Sequence, residues 1–159
     1  MKLLNRKFFE LFFSFIIILF LYNSCKSAAS EFYYNDRVEK TEYEKMAEES
    51  YFTNIPKEQQ KTDKDVLVIF SGSAFKGKTV IINKKDSLSF NLPPDPTGCY
   101  GILFKKIPKS TKKIRVSVEG KKDIFIPIID KSDYIDIGDA KQNKWGVGYS
   151  KNFPSYFCM

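Results

Sequence analysis

Val66-Leu67-Val68-Ile69-Phe70, closed by Ser71-Gly72-Ser73 and followed by Thr79-Val80-Ile81-Ile82-Asn83, is the stretch that decides the fold. Both runs are rich in β-branched side chains and bounded by turn residues, which predicts two strands rather than a helix. Lys84-Lys85-Asp86 then turns the chain into Ser87-Leu88-Ser89-Phe90-Asn91-Leu92, where Leu88, Phe90 and Leu92 share one face of a period-two pattern. Pro93-Pro94-Asp95-Pro96-Thr97-Gly98 interrupts the pattern with a loop. Strand-like runs resume at Tyr100 to Phe104, Lys113 to Glu119, Asp123 to Ile129, Tyr134 to Ile137 and Trp145 to Tyr149, with no helical periodicity between them. About eight short strands at near-regular spacing predict an all-β domain over residues 65–159, an antiparallel β-sandwich of immunoglobulin-like or jelly-roll-like form. Pro127, which can donate no ladder hydrogen bond, places its strand at an edge or a bulge.

The same stretch contains a motif with a different meaning. Gly72-Ser73-Ala74-Phe75-Lys76-Gly77-Lys78-Thr79 matches the phosphate-loop pattern G-x-x-x-x-G-K-T behind an apolar strand. Phosphate binding there requires a helix opening at the lysine, whose first-turn N–H groups and dipole hold the anion. Val80-Ile81-Ile82-Asn83 reads as a strand instead, and after Asp65 the chain offers no crossover helices for a parallel nucleotide-binding sheet. The expectation is a glycine-containing loop with no nucleotide partner.

Upstream of the domain the chain changes character twice. Met1 to Lys7 is basic, and Leu11 to Leu21 is uncharged and apolar, the order of an export signal. As a helix that core covers about 18 Å, short of the ~30 Å hydrocarbon layer. Leu21-Tyr22-Asn23-Ser24-Cys25 follows, with a small residue directly before a cysteine. Residues 1–24 are therefore expected to be a lipoprotein signal peptide and Cys25 the lipidation site, with the membrane as partner through the anchor. Residues 25–64 are expected to form a flexible stem. Within it, Asp36 to Phe52 holds good helix formers behind Asn35 or Asp36 as N-cap, but its apolar stripe is thin, so a short marginal helix or disorder is expected. Asn54 to Lys64 reads as linker. A stem of that length would reach roughly 130 Å fully extended.

Charge and composition narrow the chemistry. Lys26 to Lys64 carries seven Lys/Arg against nine Asp/Glu, whereas Asp65 to Met159 carries sixteen against nine. The lysines are spread over the loops rather than clustered, and an exported domain does not meet cellular nucleic acid, so no nucleic-acid partner is expected. Histidine is absent, which removes the commonest general base near neutral pH and the commonest metal ligand. Asp130, Asp133, Asp136 and Asp139 form an acidic run, but without calcium-loop spacing they read as outward strand-end carboxylates. No metal or cofactor is implied.

Two sets of residues remain as candidates. Tyr134, Trp145 and Tyr149 offer rings that could stack on a sugar, although rings in a small sandwich commonly fill its core. Phe153 and the residues after it are expected to pack back on the domain, because exposed they would be sticky. Cys99 and Cys158 are left as an even pair once Cys25 is acylated, and outside the cytoplasm they could form a disulfide.

The Leu21…Ser24-Cys25 signal end, the strand–turn–strand from Val66 to Asn83 and the strands from Ile135 to Tyr149 together resemble the small β-sandwich lipoproteins of the Bacteroidota. The resemblance implies a cell-envelope protein anchored to the outer or inner membrane and transfers no functional residue. The expectation is a non-enzymatic binding or structural module for a protein or glycan partner. The alternatives are an immunity-type or inhibitor lipoprotein, which a neighbouring toxin gene would favour, and a small periplasmic hydrolase, which would lose activity on Asp130→Asn and Asp133→Asn.

Overall fold

Five consecutive apolar residues, Val66 to Phe70, are all buried because their strand is covered on both faces. Val66, Val68 and Phe70 enter a core between two sheets, while Leu67 and Ile69 point the opposite way into a smaller cluster under a helix. The computed structural model describes residues 30–75, 77–89, 102–139 and 144–155. Among these, nine strands run β1 (Ser30–Asn35), β2 (Asp65–Ser71), β3 (Thr79–Ile82), β4 (Asp86–Ser89), β5 (Ile102–Pro108), β6 (Lys113–Val118), β7 (Ile124–Pro127), β8 (Tyr134–Asp139) and β9 (Trp145–Ser150). They make a five-stranded sheet in the order β1-β9-β8-β2-β5 and a four-stranded sheet in the order β4-β3-β6-β7. The expected β-sandwich is therefore present.

Strand alternation sets the core. On β6, Ile114, Val116 and Val118 are buried while Lys113, Arg115 and Ser117 face away, and on β7 Ile124 and Ile126 alternate with Phe125 and Pro127. β9 reads Trp-Gly-Val-Gly-Tyr-Ser, so its three large residues go inward and its two glycines outward. Pro127 lies on β7, the end strand of its sheet, where a missing N–H costs no ladder bond. Phe153 is fully buried, so the chain end up to that residue does fold back.

Two pairings depart from a wholly antiparallel sandwich. β2 and β8 are parallel, as are β1 and β9. After β2 the chain crosses to the second sheet for β3 and β4, returns as β5, crosses again for β6 and β7, and comes back as β8 on the other side of β2. Hydrophobic alternation marks each strand but carries no information about this order.

Residues 30–64 correct the expected stem. Ser30–Asn35 is a strand in register with Trp145–Ser150, and α1 (Glu42–Asn54) lies on the outer face of the five-stranded sheet. The N-cap is Thr41 rather than Asn35 or Asp36. Its hydroxyl accepts from the Glu44 N–H at 3.2 Å, and the Glu44 carboxylate accepts from the Thr41 N–H at 2.7 Å, a reciprocal capping box. Only Glu44, Ala47 and Tyr51 of the helix are buried. That narrow contact suffices because Tyr51 packs against Phe104 and Phe153, with ring centroids 5.1 and 5.6 Å away. The "linker" is pinned as well. Tyr51 Oη donates to the Gln59 carbonyl and accepts from the Lys61 N–H, and Gln60 Nε2 donates to the carbonyls of Phe52 and Ile55.

Candidate functional site

The sequence offered Tyr134, Trp145 and Tyr149 as ligand-contact rings, and the structure removes that role. Each is only 2% exposed. Trp145 lies in the core with its indole stacked on Phe75 at 5.4 Å. Tyr149 spans the sandwich and donates to the Pro127 carbonyl at 2.9 Å. Tyr134 sits under α1 and donates to Glu48 at 2.6 Å. Burial, and for Tyr134 also the Glu48 acceptor, pushes both phenols well above the ordinary tyrosine range. They are structural residues with satisfied hydroxyls.

Of the acidic run read as possible ligands or acids, Asp133 is engaged by basic side chains. Asp133 accepts from Lys109 at 2.8 Å and lies 3.6 Å from Lys61. Asp123 pairs with Arg115, and hydrogen bonds from Ser117 and Arg115 hold its carboxyl below the usual carboxylate range. Among the described residues no group of three or more His, Cys, Asp or Glu gathers as a metal site. At the phosphate-loop match, Gly72–Phe75 forms a 3-10 turn, and Thr79 opens strand β3 where a phosphate site would need a helix. Cys25, Cys99 and Cys158 lie outside the described residues.

What the fold does build is a cleft at the β5 end of the sandwich, about 580 Å³ in volume. β5 supplies Ile102 and Phe104 from its outer face and Leu103 from its inner face, Leu88 comes from β4, and Ile55 and Glu58 come from the segment after α1. Its apolar wall borders the side of β5 that no described strand pairs, β5 ending the five-stranded sheet among the described residues. Lysines on an end strand ordinarily guard it against pairing. Here they are drawn aside, since Lys105 Nζ bonds Asp86 of β4 at 2.8 Å and Lys106 Nζ donates to the carbonyls of Glu58 and Gln60 at 2.8 and 3.0 Å.

Sequence reasoning missed this cleft because its parts come from three segments that nothing in the local pattern joins. A second exposed surface was missed for a different reason. β1 carries Phe32, Tyr33 and Tyr34, exposed by 39%, 53% and 56%. Phe32 and Tyr34 stack against Tyr149, at 6.2 and 5.1 Å between centroids. Three consecutive aromatics were a strand signal, obscured by their place between the expected export signal and an acidic helix.

Comparison of the chain with protein-family models, with curated proteins and with solved structures finds no match in any of the three.

Proposed function

We propose that this protein is a lipid-anchored module of the bacterial cell envelope, exported by residues 1–24, acylated at Cys25, and acting by binding a protein partner rather than by catalysis. The observation that carries the binding reading is the cleft at β5. It combines apolar side chains on both sides of a strand with backbone N–H and C=O groups along that strand's open side. Such an edge receives an extended segment by adding a strand, with side-chain pockets supplying selectivity. A protein is favoured over a glycan because the three rings that would have stacked on sugar lie in the core. The pairing of Asp133, one of the two carboxylates of the hydrolytic alternative, with Lys109 supports a binding role over a hydrolytic one.

Affinity capture of the anchored protein from its own envelope tests this reading. Glu58 and Gln59 are exposed at the cleft rim, so Glu58→Arg with Gln59→Arg should leave the fold intact. A partner held in near-stoichiometric amount by the wild type and by Lys85→Glu, and lost from the cleft variant, is the expected result. Retention of the same partner by the cleft variant would refute the assignment of the site.

A further inference from the structure

Among the described residues the two sheets end in four strands, β1, β5, β4 and β7. Two of them carry devices that discourage pairing: β4 and β7 are four residues long, and β7 contains Pro127. The lysines of β5 are drawn aside, and that edge is the one proposed above for a partner. β1 is different. It runs six residues without lysine or proline, and its one charged side chain, Glu31, is tied to Lys144 at 2.9 Å and to the Tyr33 hydroxyl. A long unguarded edge with three exposed aromatics would be an aggregation site unless something covers it.

The position of β1 in the chain says what that is. Ser30 is five residues past Cys25, and five residues span at most about 18 Å in any conformation. If Cys25 is acylated, the start of β1 cannot leave the membrane surface by more than that distance. The 40-residue tether expected from sequence does not exist, because residues 30–64 belong to the domain.

We propose that β1 is the face this domain lays against the bilayer, with Phe32, Tyr33 and Tyr34 in the headgroup layer. This rests on the acylation of Cys25 proposed above. Aromatic rings of this kind concentrate at the membrane–water boundary, where an apolar body and a polar tip are both satisfied. Phe32 and Tyr34 are held in place by stacking on buried Tyr149, so the face is preformed. The depth is limited by the backbone. The N–H and C=O groups on the side of β1 that no described strand covers need water, which the headgroup layer supplies and the hydrocarbon does not. Four strand spacings of about 4.8 Å put β5 roughly 19 Å from β1 across the sheet, so the cleft faces away from the lipid.

The test uses the acylated full chain, made in cells with benzoylphenylalanine in place of Tyr33 or Tyr34, and reconstituted in phosphatidylethanolamine–phosphatidylglycerol vesicles. Controls carry the probe in place of Ile81 or Phe125, exposed on the outer face of the other sheet. Labelled fatty acid is followed in the same samples. We expect about tenfold more lipid adduct from positions 33 and 34 than from 81 and 125, as an interfacial belt requires. Amide exchange of residues 30–35 should also slow on transfer from detergent to vesicles. Fatty-acid label with equal or absent lipid adducts overturns the proposal and leaves the anchor standing. Adducts joining two chains at position 33 assign the edge to a second copy and overturn it too. Absence of fatty-acid label removes the anchor reading, and the orientation falls with it.

Discussion

Replacing Tyr51 with alanine distinguishes a docked helix from a free stem. The Tyr51 ring is almost fully buried between Phe52, Phe104 and Phe153, and its hydroxyl bonds Gln59 and Lys61. Truncating a buried aromatic to alanine costs about 3–5 kcal/mol, because the transfer energy is lost and the cavity collapses only in part. Against a total of roughly 5–15 kcal/mol for a domain, this is a large fraction. Tyr51→Phe keeps the ring and deletes only the two hydrogen bonds, for about 1–2 kcal/mol. With a urea slope of about 2 kcal/mol per molar, the alanine variant should unfold about 2 M earlier than wild type and the phenylalanine variant less than 1 M earlier. Tyr43 stands exposed on the same helix, and Tyr43→Ala should stay within about 0.5 kcal/mol. If Tyr51→Ala moves the midpoint no more than Tyr43→Ala does, α1 is not packed on the sheet and the docking argument fails. Should the alanine variant fail to accumulate, Tyr51→Phe together with amide exchange over residues 42–54 decides the same point.

Two further outcomes follow from the buried phenols of the two cores and from the helix cap. Tyr134 and Tyr149 hold their protons more tightly folded than unfolded, so up to about pH 10 both states are protonated and the contribution is complete. Above that pH the unfolded chain loses protons that the folded chain keeps, and stability should fall by about 1.4 kcal/mol per pH unit for each phenol. Urea midpoints measured from pH 9 to pH 11 should therefore decline less steeply in Tyr134→Phe and in Tyr149→Phe, and slopes equal to wild type would contradict the burial argument. Thr41→Ala removes one arm of the capping box and should cost about 1 kcal/mol, whereas Thr41→Ser should be close to neutral. Equal midpoints for the two would mean that the helix starts elsewhere.

How far the sequence determined this protein can be followed through individual residues. β6 was legible because Ile114, Val116 and Val118 alternate with outward residues, and β2 because five apolar positions in a row suit a strand buried on both faces. Period-two patterning and turn residues are local properties, so strands, the Pro127 edge and the sandwich class could be read along the chain. The return of Phe153 followed equally from its hydrophobicity. β1 was missed, and α1, expected as a short marginal helix or disorder, proved a packed helix, because the stability of both is not local. Ser30–Asn35 is a strand by pairing with β9, 115 residues further on. α1 shows too thin an apolar stripe to predict a packed helix, and it docks through Tyr51 into a pocket formed by Phe104, Tyr134 and Phe153. The rings of Tyr134, Trp145 and Tyr149 could be named from sequence, but which side of the sheet they face, and therefore that they are core, depends on which strands and helix cover them. The same holds for the two surfaces proposed above as functional. Sequence supplied the proposal that Cys25 is a membrane anchor, whereas only the tertiary structure showed an aromatic edge strand starting five residues after it and the β5 cleft on the far edge, because strand order is fixed by contacts between segments distant along the chain.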